Sequence, residues 1–164
     1  MTIRIRHGSA LDVRSATRLL NEIINVGGTT ALTKEVTKDE MEGWLFGDAG
    51  RTAWHVAVDE QDQVQGFQWI GPWPDLPPEA CEIGTFVKIG QTGLGIGSQL
   101  FEATKLAALD LGFDWINANI RSDNESGLTY YQSRGFRTYR YEENVTLPSG
   151  QTVGKTHKRY DLKD

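Results

Sequence analysis

The stretch Val87-Lys88-Ile89-Gly90-Gln91-Thr92-Gly93-Leu94-Gly95-Ile96-Gly97-Ser98 gathers glycines at alternate positions. Such a turn leaves backbone amides free to converge on one concavity without side chains in the way. A helix begins at its end, so unpaired amides and the positive end of the helix dipole favour a phosphate or pyrophosphate there. The spacing excludes two phosphate-binding turns. Gly93, Gly95 and Gly97 give G-x-G-x-G instead of the G-x-G-x-x-G of dinucleotide folds, and the Gly-Lys-Ser/Thr of a P-loop is missing. From these residues alone, the turn either holds an anion on its backbone or is a tight strand-to-helix connection without a ligand.

A turn of this kind works only when a strand and a helix hold it. The 164 residues suffice for one domain, residues 1–164. Apolar residues make up 38% of the chain and the 18 glycines add about a further tenth, close to the globular share, so a sizeable core is expected. Acidic residues outnumber basic ones, 22 to 17, and the net charge of −5 argues against nucleic acid as the main partner. No run of about eighteen apolar residues exists to span a membrane. The opening Met1-Thr2-Ile3-Arg4-Ile5-Arg6-His7 lacks an apolar signal core, so a cytoplasmic protein is expected. The single Cys81 can form neither an intramolecular disulfide nor a cysteine metal site, and no metal is expected.

The hydrophobic period assigns the elements. Ile3 and Ile5 alternate as a short first strand. Ser9-Ala10-Leu11-Asp12 reads as a capping box, with the serine oxygen and Asp12 satisfying free amides, before a helix carrying Val13, Ala16, Leu19, Leu20, Ile23 and Ile24 and stopped by Gly27-Gly28. A second box, Thr37-Lys38-Asp39-Glu40, opens a short helix that buries Met41, Trp44 and Leu45. Residues 54–58 and 64–70 form a hairpin across an acidic turn, and the proline-rich 71–78 is a stiff loop. Cys81–Val87 is a strand, 96–111 a helix closed by Gly112, Trp115–Ile120 a strand and Ser126–Arg134 a helix stopped by Gly135. Phe136–Tyr141 and Lys155–Leu162 close the chain as a pair of strands. The result is a mixed α/β domain.

The glycine-rich turn, taken with the segment Asn124-Glu125-Ser126-Gly127-Leu128-Thr129-Tyr130-Tyr131-Gln132-Ser133-Arg134-Gly135-Phe136, resembles the GNAT superfamily of N-acyltransferases. Members carry a strand ending in valine, then Gln/Arg-x-x-Gly-x-Gly/Ala opening a long helix, then Asn-x-x-Ala-x-x-Leu-Tyr-x-x-x-Gly-Phe. Here Val87 ends the strand and Thr92-Gly93-Leu94-Gly95-Ile96-Gly97 matches the loop. Thr92 stands where Gln or Arg is usual, so backbone amides must carry more of the pyrophosphate contact. Gly127 replaces the common alanine and Tyr130 the common leucine. More loosely, Ile24–Ala31 and the following short helix look like the branch related to phosphinothricin acetyltransferases. The implied fold is α/β (α+β), a mixed sheet of about six to seven strands flanked by about four helices.

The resemblance implies roles. Acetyl-CoA is the co-substrate, with its pyrophosphate on Thr92, Gly93, Leu94, Gly95, Ile96, Gly97 and Ser98 and its pantetheine paired to the main chain of Phe86 and Val87. Tyr131 stands at the family's Tyr position and suits protonation of the leaving thiolate; its alternative role is packing on the sheet, and Tyr130 is expected to point elsewhere into core. Asn124 either bonds the pantetheine amides or caps the helix that follows. An amine attacking a thioester must first be neutral. Glu82, on the strand face opposite Ile83 and shared with Gly84 and Phe86, is the leading base if that face lines a cleft, and an exposed carboxylate otherwise. Asn117 and Asn119 share the polar face of their strand, lining a cleft or making cross-strand bonds. Trp69 and Trp73 either shape the acceptor pocket or simply pack. Cys81 has no nearby histidine to activate it, and His55 and His7 are weaker candidates for the base, since a lone histidine is more often a surface or core residue.

These roles imply an acetyl-CoA-dependent N-acetyltransferase acting by direct transfer to the primary amine of a small molecule such as an amino acid or analogue, and a homodimer, as is common among relatives. A non-catalytic acyl-CoA-binding module and a protein N-acetyltransferase are the alternatives.

Overall fold

In the computed structural model, which describes residues 1–48, 50–91 and 95–163, a single seven-stranded mixed sheet runs through the molecule. The elements in chain order are β1 (Arg4–His7), a 3₁₀ turn (Ala10–Asp12), α1 (Val13–Val26), α2 (Lys38–Leu45), β2 (Ala53–Val58), β3 (Val64–Gly71), β4 (Ala80–Val87), α3 (Ile96–Asp110), β5 (Trp115–Arg121), α4 (Glu125–Ser133), β6 (Arg137–Thr146) and β7 (Thr152–Asp161). The sheet order is β1-β2-β3-β4-β5-β7-β6, and every neighbouring pair is antiparallel except β4 and β5. Seven strands and four α-helices match the expected GNAT-type architecture. No helix among the described residues is long and apolar enough to cross a membrane.

Alternation sends each strand's residues to two cores, because successive side chains point to opposite faces. One core joins Leu20 and Ile24 of α1 and Met41 and Leu45 of α2 to Trp54, Phe67 and Trp69 of the sheet. The other packs Phe101 of α3, Tyr131 of α4 and Phe136 against Cys81, Ile83, Ile116, Ala118 and Ile120. α1 buries one stripe, Val13, Ala16, Leu20 and Ile24, and ends at Gly27, whose φ of 77° suits glycine. At its entry the expected capping box between Ser9 and Asp12 is present, and the Asp12 carboxylate also accepts from the Ser9 hydroxyl and takes a two-pronged contact from Arg6.

The central feature is a seam that stops early. β4 and β5 pair through Ala80↔Trp115, Cys81↔Ile116 and Glu82↔Asn117 only. Beyond Glu82, β4 continues to Val87 against β3 alone, and β5 continues to Arg121 against β7 alone. The two strands therefore splay, and the sheet opens between them. β6 and β7 extend past the sequence-based bounds, to Thr146 and from Thr152, because β6 is an exposed edge whose polar residues carry no apolar alternation.

At the far side of the sheet, His7 and His55 face each other across β1 and β2 with ring centroids 4.5 Å apart. Burial, helped by His7, pushes the His55 pKa from 6.5 down to about 4. The folded state then binds fewer protons than the unfolded chain between these values, so this group's stabilisation is present above pH 6.5 and lost as pH falls toward 4. A His55→Gln variant is expected to flatten that part of the stability profile, read as melting temperature against pH.

Candidate functional site

The splay is the mouth of a cavity of about 1180 Å³, lined by β4 from Glu82 to Val87, the C-terminal half of β5, α2, α4, the start of α3 and the loop after α1. Ordinary small-molecule clefts hold about 300–1,000 Å³. This one has room for an extended ligand and a second, smaller one together.

Glu82 and Tyr131 reach the cavity from opposite faces of the sheet. Glu82 shares the α1/α2 face with Gly84 and Phe86, and Phe86 stacks near Trp44 and Phe67. The face expected to line a cleft does so. Glu82 is 8% exposed, accepts a 2.6 Å hydrogen bond from the Asn117 Nδ2, and so is not an exposed strand carboxylate. Burial, partly offset by Asn117 and the Lys155 ammonium, raises its pKa from 4.5 to about 7. That is the range in which a carboxylate works as a general base near neutral pH.

Tyr131 comes from α4 on the other face. It is 7% exposed, and its hydroxyl lies 2.7 Å from the Thr85 Oγ1. Burial raises its pKa well above the ordinary phenol value, so it is a neutral hydroxyl at any working pH. Tyr130 departs from expectation. It packs against the core but also lines the cavity, donating to the Gly97 carbonyl at 2.7 Å and accepting from the Gln68 Nε2 at 3.0 Å, while Gln68 also bonds Thr85 at 2.9 Å. The Tyr130 ring stands edge-on to Tyr131 at 4.9 Å, and the α4–α3 contact holds it at the same site. Gly97 is tied to this contact: a Cβ there would fall 2.6 Å from the Tyr130 ring.

The glycine-rich turn is described on either side of Thr92, Gly93 and Leu94, which lie outside the described residues. Gly95 is the N-cap of α3 with φ 76°, a left-handed conformation that glycine adopts without strain. Gly95, Gly97 and Ser98 line the cavity, and Ile96 does so while buried in a third cluster with Ala57 and Leu100. Asn124 caps α4, accepting from the Gly127 amide at 3.0 Å, and its Nδ2 donates to the Thr29 carbonyl at 3.0 Å. A Cβ at Gly127 would sit 2.5 Å from the Asn124 Nδ2, so the Asn124 side chain would have to shift to admit one.

Trp44, Trp69 and Trp73 line the α1/α2 side of the cavity; Trp69 stacks on Trp44 at 5.0 Å and carries Trp73 edge-on at 6.2 Å. Sequence reasoning missed the cations Lys155 and Arg121. Arg121 is committed to Asp123 and the Thr30 carbonyl. Lys155 lies opposite Glu142 in the ladder, but Glu142 is taken by Arg140 and His157, leaving the Lys155 ammonium at the cavity wall. Only strand pairing reveals these positions, and no spacing signal announces them. Cys81 is fully buried and its pKa is pushed up to about 12, chiefly by burial, so it is no nucleophile.

The raised Glu82 pKa is also a stability statement. Folding favours its protonated form, so the protein loses stability as pH rises from 4.5 through 7. Glu82→Gln is expected to stabilise the fold by up to about 3 kcal/mol above pH 8 and by almost nothing below pH 4, measured by urea unfolding at both.

Residues 16–136 match the family model described as "Acetyltransferase (GNAT) family". The chain is 25% identical to YwnH of Bacillus subtilis over 165 residues, 99% of this chain and 96% of that one. It is likewise 25% identical, over 168 residues and the same two shares, to an L-methionine sulfoximine/L-methionine sulfone acetyltransferase of Pseudomonas aeruginosa. In fold it is similar to a phosphinothricin acetyltransferase of Sinorhizobium meliloti solved in complex with AcCoA, with a TM-score of 0.87 at 21% identity, covering 99% of this chain and 90% of that one.

Proposed function

The chain belongs to the GNAT acetyltransferase family and is an N-acetyltransferase, and we propose that it moves the acetyl group of acetyl-CoA directly to the primary amine of a small amino acid or analogue. One observation carries this reading: a carboxyl and a phenol, those of Glu82 and Tyr131, enter a single cavity from opposite faces of a sheet that splays between them.

The donor occupies the α3/α4 side. Backbone amides at Gly95–Ser98 and the start of α3 take the pyrophosphate, and the main chain of Phe86 and Val87, unpaired toward β5, takes the pantetheine as a missing strand. Asn124 acts here by holding α4 and the Thr29 carbonyl in place. The acceptor enters from the α1/α2 side, where Trp44, Trp69 and Trp73 accommodate an apolar body and Lys155 meets a carboxylate. The relatives that act on phosphinothricin and methionine sulfoximine support an acceptor of that class.

Glu82 takes a proton from the acceptor ammonium. The neutral nitrogen attacks the thioester carbonyl, the C–N bond forms, and collapse breaks the C–S bond. Tyr131 gives its hydroxyl proton to the departing thiolate and is reprotonated from solvent, while the nitrogen sheds its second proton to water to become an amide. Thr85 aligns the Tyr131 hydroxyl. No acyl-enzyme is involved, in keeping with the inert Cys81.

Thiol release measured with amino acids, polyamines, aminoglycosides and peptides tests the acceptor class. Amino acids with apolar side chains are expected to be preferred, and acetyl-CoA binding without thiol release for any amine would make the chain a binding module. Activity is expected to fall about tenfold per unit as pH drops below 7, the acid limb set by Glu82. Tyr131→Phe is expected to cut turnover by about a hundredfold with donor affinity nearly unchanged in calorimetry. Lys155→Met is expected to raise KM for amino acids while leaving amines without a carboxylate unaffected.

A further inference from the structure

β6 carries an irregularity whose position is informative. Thr138 pairs with Lys158 and Arg140 with His157, so Tyr139 is an extra residue in the ladder. A bulge of this type sets two residues against one and re-aims a side chain. Here it sets Tyr139 and Arg140 both against His157, on the sheet face that carries Trp115, Asn117 and Glu82. The Tyr139 ring is held edge-on to Trp115 at 5.8 Å, with the Arg159 guanidinium 3.9 Å over Trp115 and 5.9 Å from Tyr139. From there its hydroxyl crosses β7 to donate to the Asn117 Oδ1, while the Asn117 Nδ2 donates to Glu82.

We propose that Tyr139 is a positioning residue for Glu82: its hydroxyl pins the Asn117 amide so that the NH₂ end, and not the carbonyl, meets the carboxylate. A primary amide can turn over and offer either end. The NH₂ end bonds an ionised carboxylate, and the carbonyl end bonds a protonated one. By occupying the Asn117 carbonyl, Tyr139 selects the orientation that suits the base form. The other groups acting on Glu82 do not make this choice. Lys155 from β7 favours the anion, and Asp75 of the proline-rich loop opposes it. Tyr131 of α4 and the neighbouring Cys81 are neutral in the working range.

This inference rests on Glu82 as the base of the proposed reaction, but its test does not. In the full chain without ligands, the Glu82 carboxyl is titrated by carbon-13 NMR, with Glu82→Gln supplying the assignment. Tyr139→Phe keeps the ring stacked, and Tyr139 is 42% exposed, so the fold should survive. The Glu82 midpoint is expected to move up by about half to one pH unit in Tyr139→Phe. In an Asn117→Ala background the same change should move nothing, because Tyr139 acts through Asn117. An unmoved midpoint in the single variant, or a shift that persists without Asn117, overturns the proposal. The acid limb of kcat/KM should follow the carboxyl, with the high-pH plateau kept. A uniform loss of rate at every pH, with the limb in place, would reduce Tyr139 to a structural residue. A carboxyl that moves while the limb stays put upholds the positioning role and removes Glu82 as base.

Discussion

Three pairs of residues join β4 to β5, and everything functional depends on there being no more. A parallel pair that continued to Val87 and Arg121 would close the sheet and leave the two cores separated by an unbroken layer of hydrogen-bonded backbone. Because the ladder stops at Glu82↔Asn117, the polar edge of β4 faces a cavity instead of a strand. An unpaired buried edge is costly unless something hydrogen-bonds to it. The fold thus creates a demand for a strand-like, amide-bearing ligand, and pantetheine is such a molecule.

The same opening determines how charge is handled. Glu82 sits at the last paired position, where the sheet still shields it from water but the cavity begins. That partial shielding raises its pKa into the neutral range, and Asn117 and Lys155 keep it from rising further. Tyr131, buried on the opposite face, stays neutral. A carboxyl raised to about 7 beside a phenol that keeps its proton is the pairing that the proposed base and acid require.

Much of this was legible in the chain. The helix stripe of α1, the hairpin of β2 and β3 and both motifs follow from local period and turn chemistry, and Glu82 was placed by simple alternation opposite Ile83. What was not legible depends on pairing between distant segments. Tyr130 returns to the site through Gly97, 33 residues away, and Lys155 reaches the cavity wall because Glu142 is claimed by other partners. The bulge at Tyr139 leaves no mark in a strand that is exposed along most of its length. Local sequence sets which face a residue takes, and the ladder decides what that face meets.

Arg121 and Asn124 flank the turn from β5 into α4, and they grip the carbonyls of Thr30 and Thr29 in the loop after α1. In the proposed reaction the loop roofs the acceptor's half of the cavity and α4 walls the donor's half, so that donor and acceptor press on one mechanical unit. Whatever factor a bound donor applies to acceptor affinity, a bound acceptor must return to the donor in equal measure. The order in which the two arrive is then a matter of rates and concentrations, and the proposed ternary complex has the same free energy by either route.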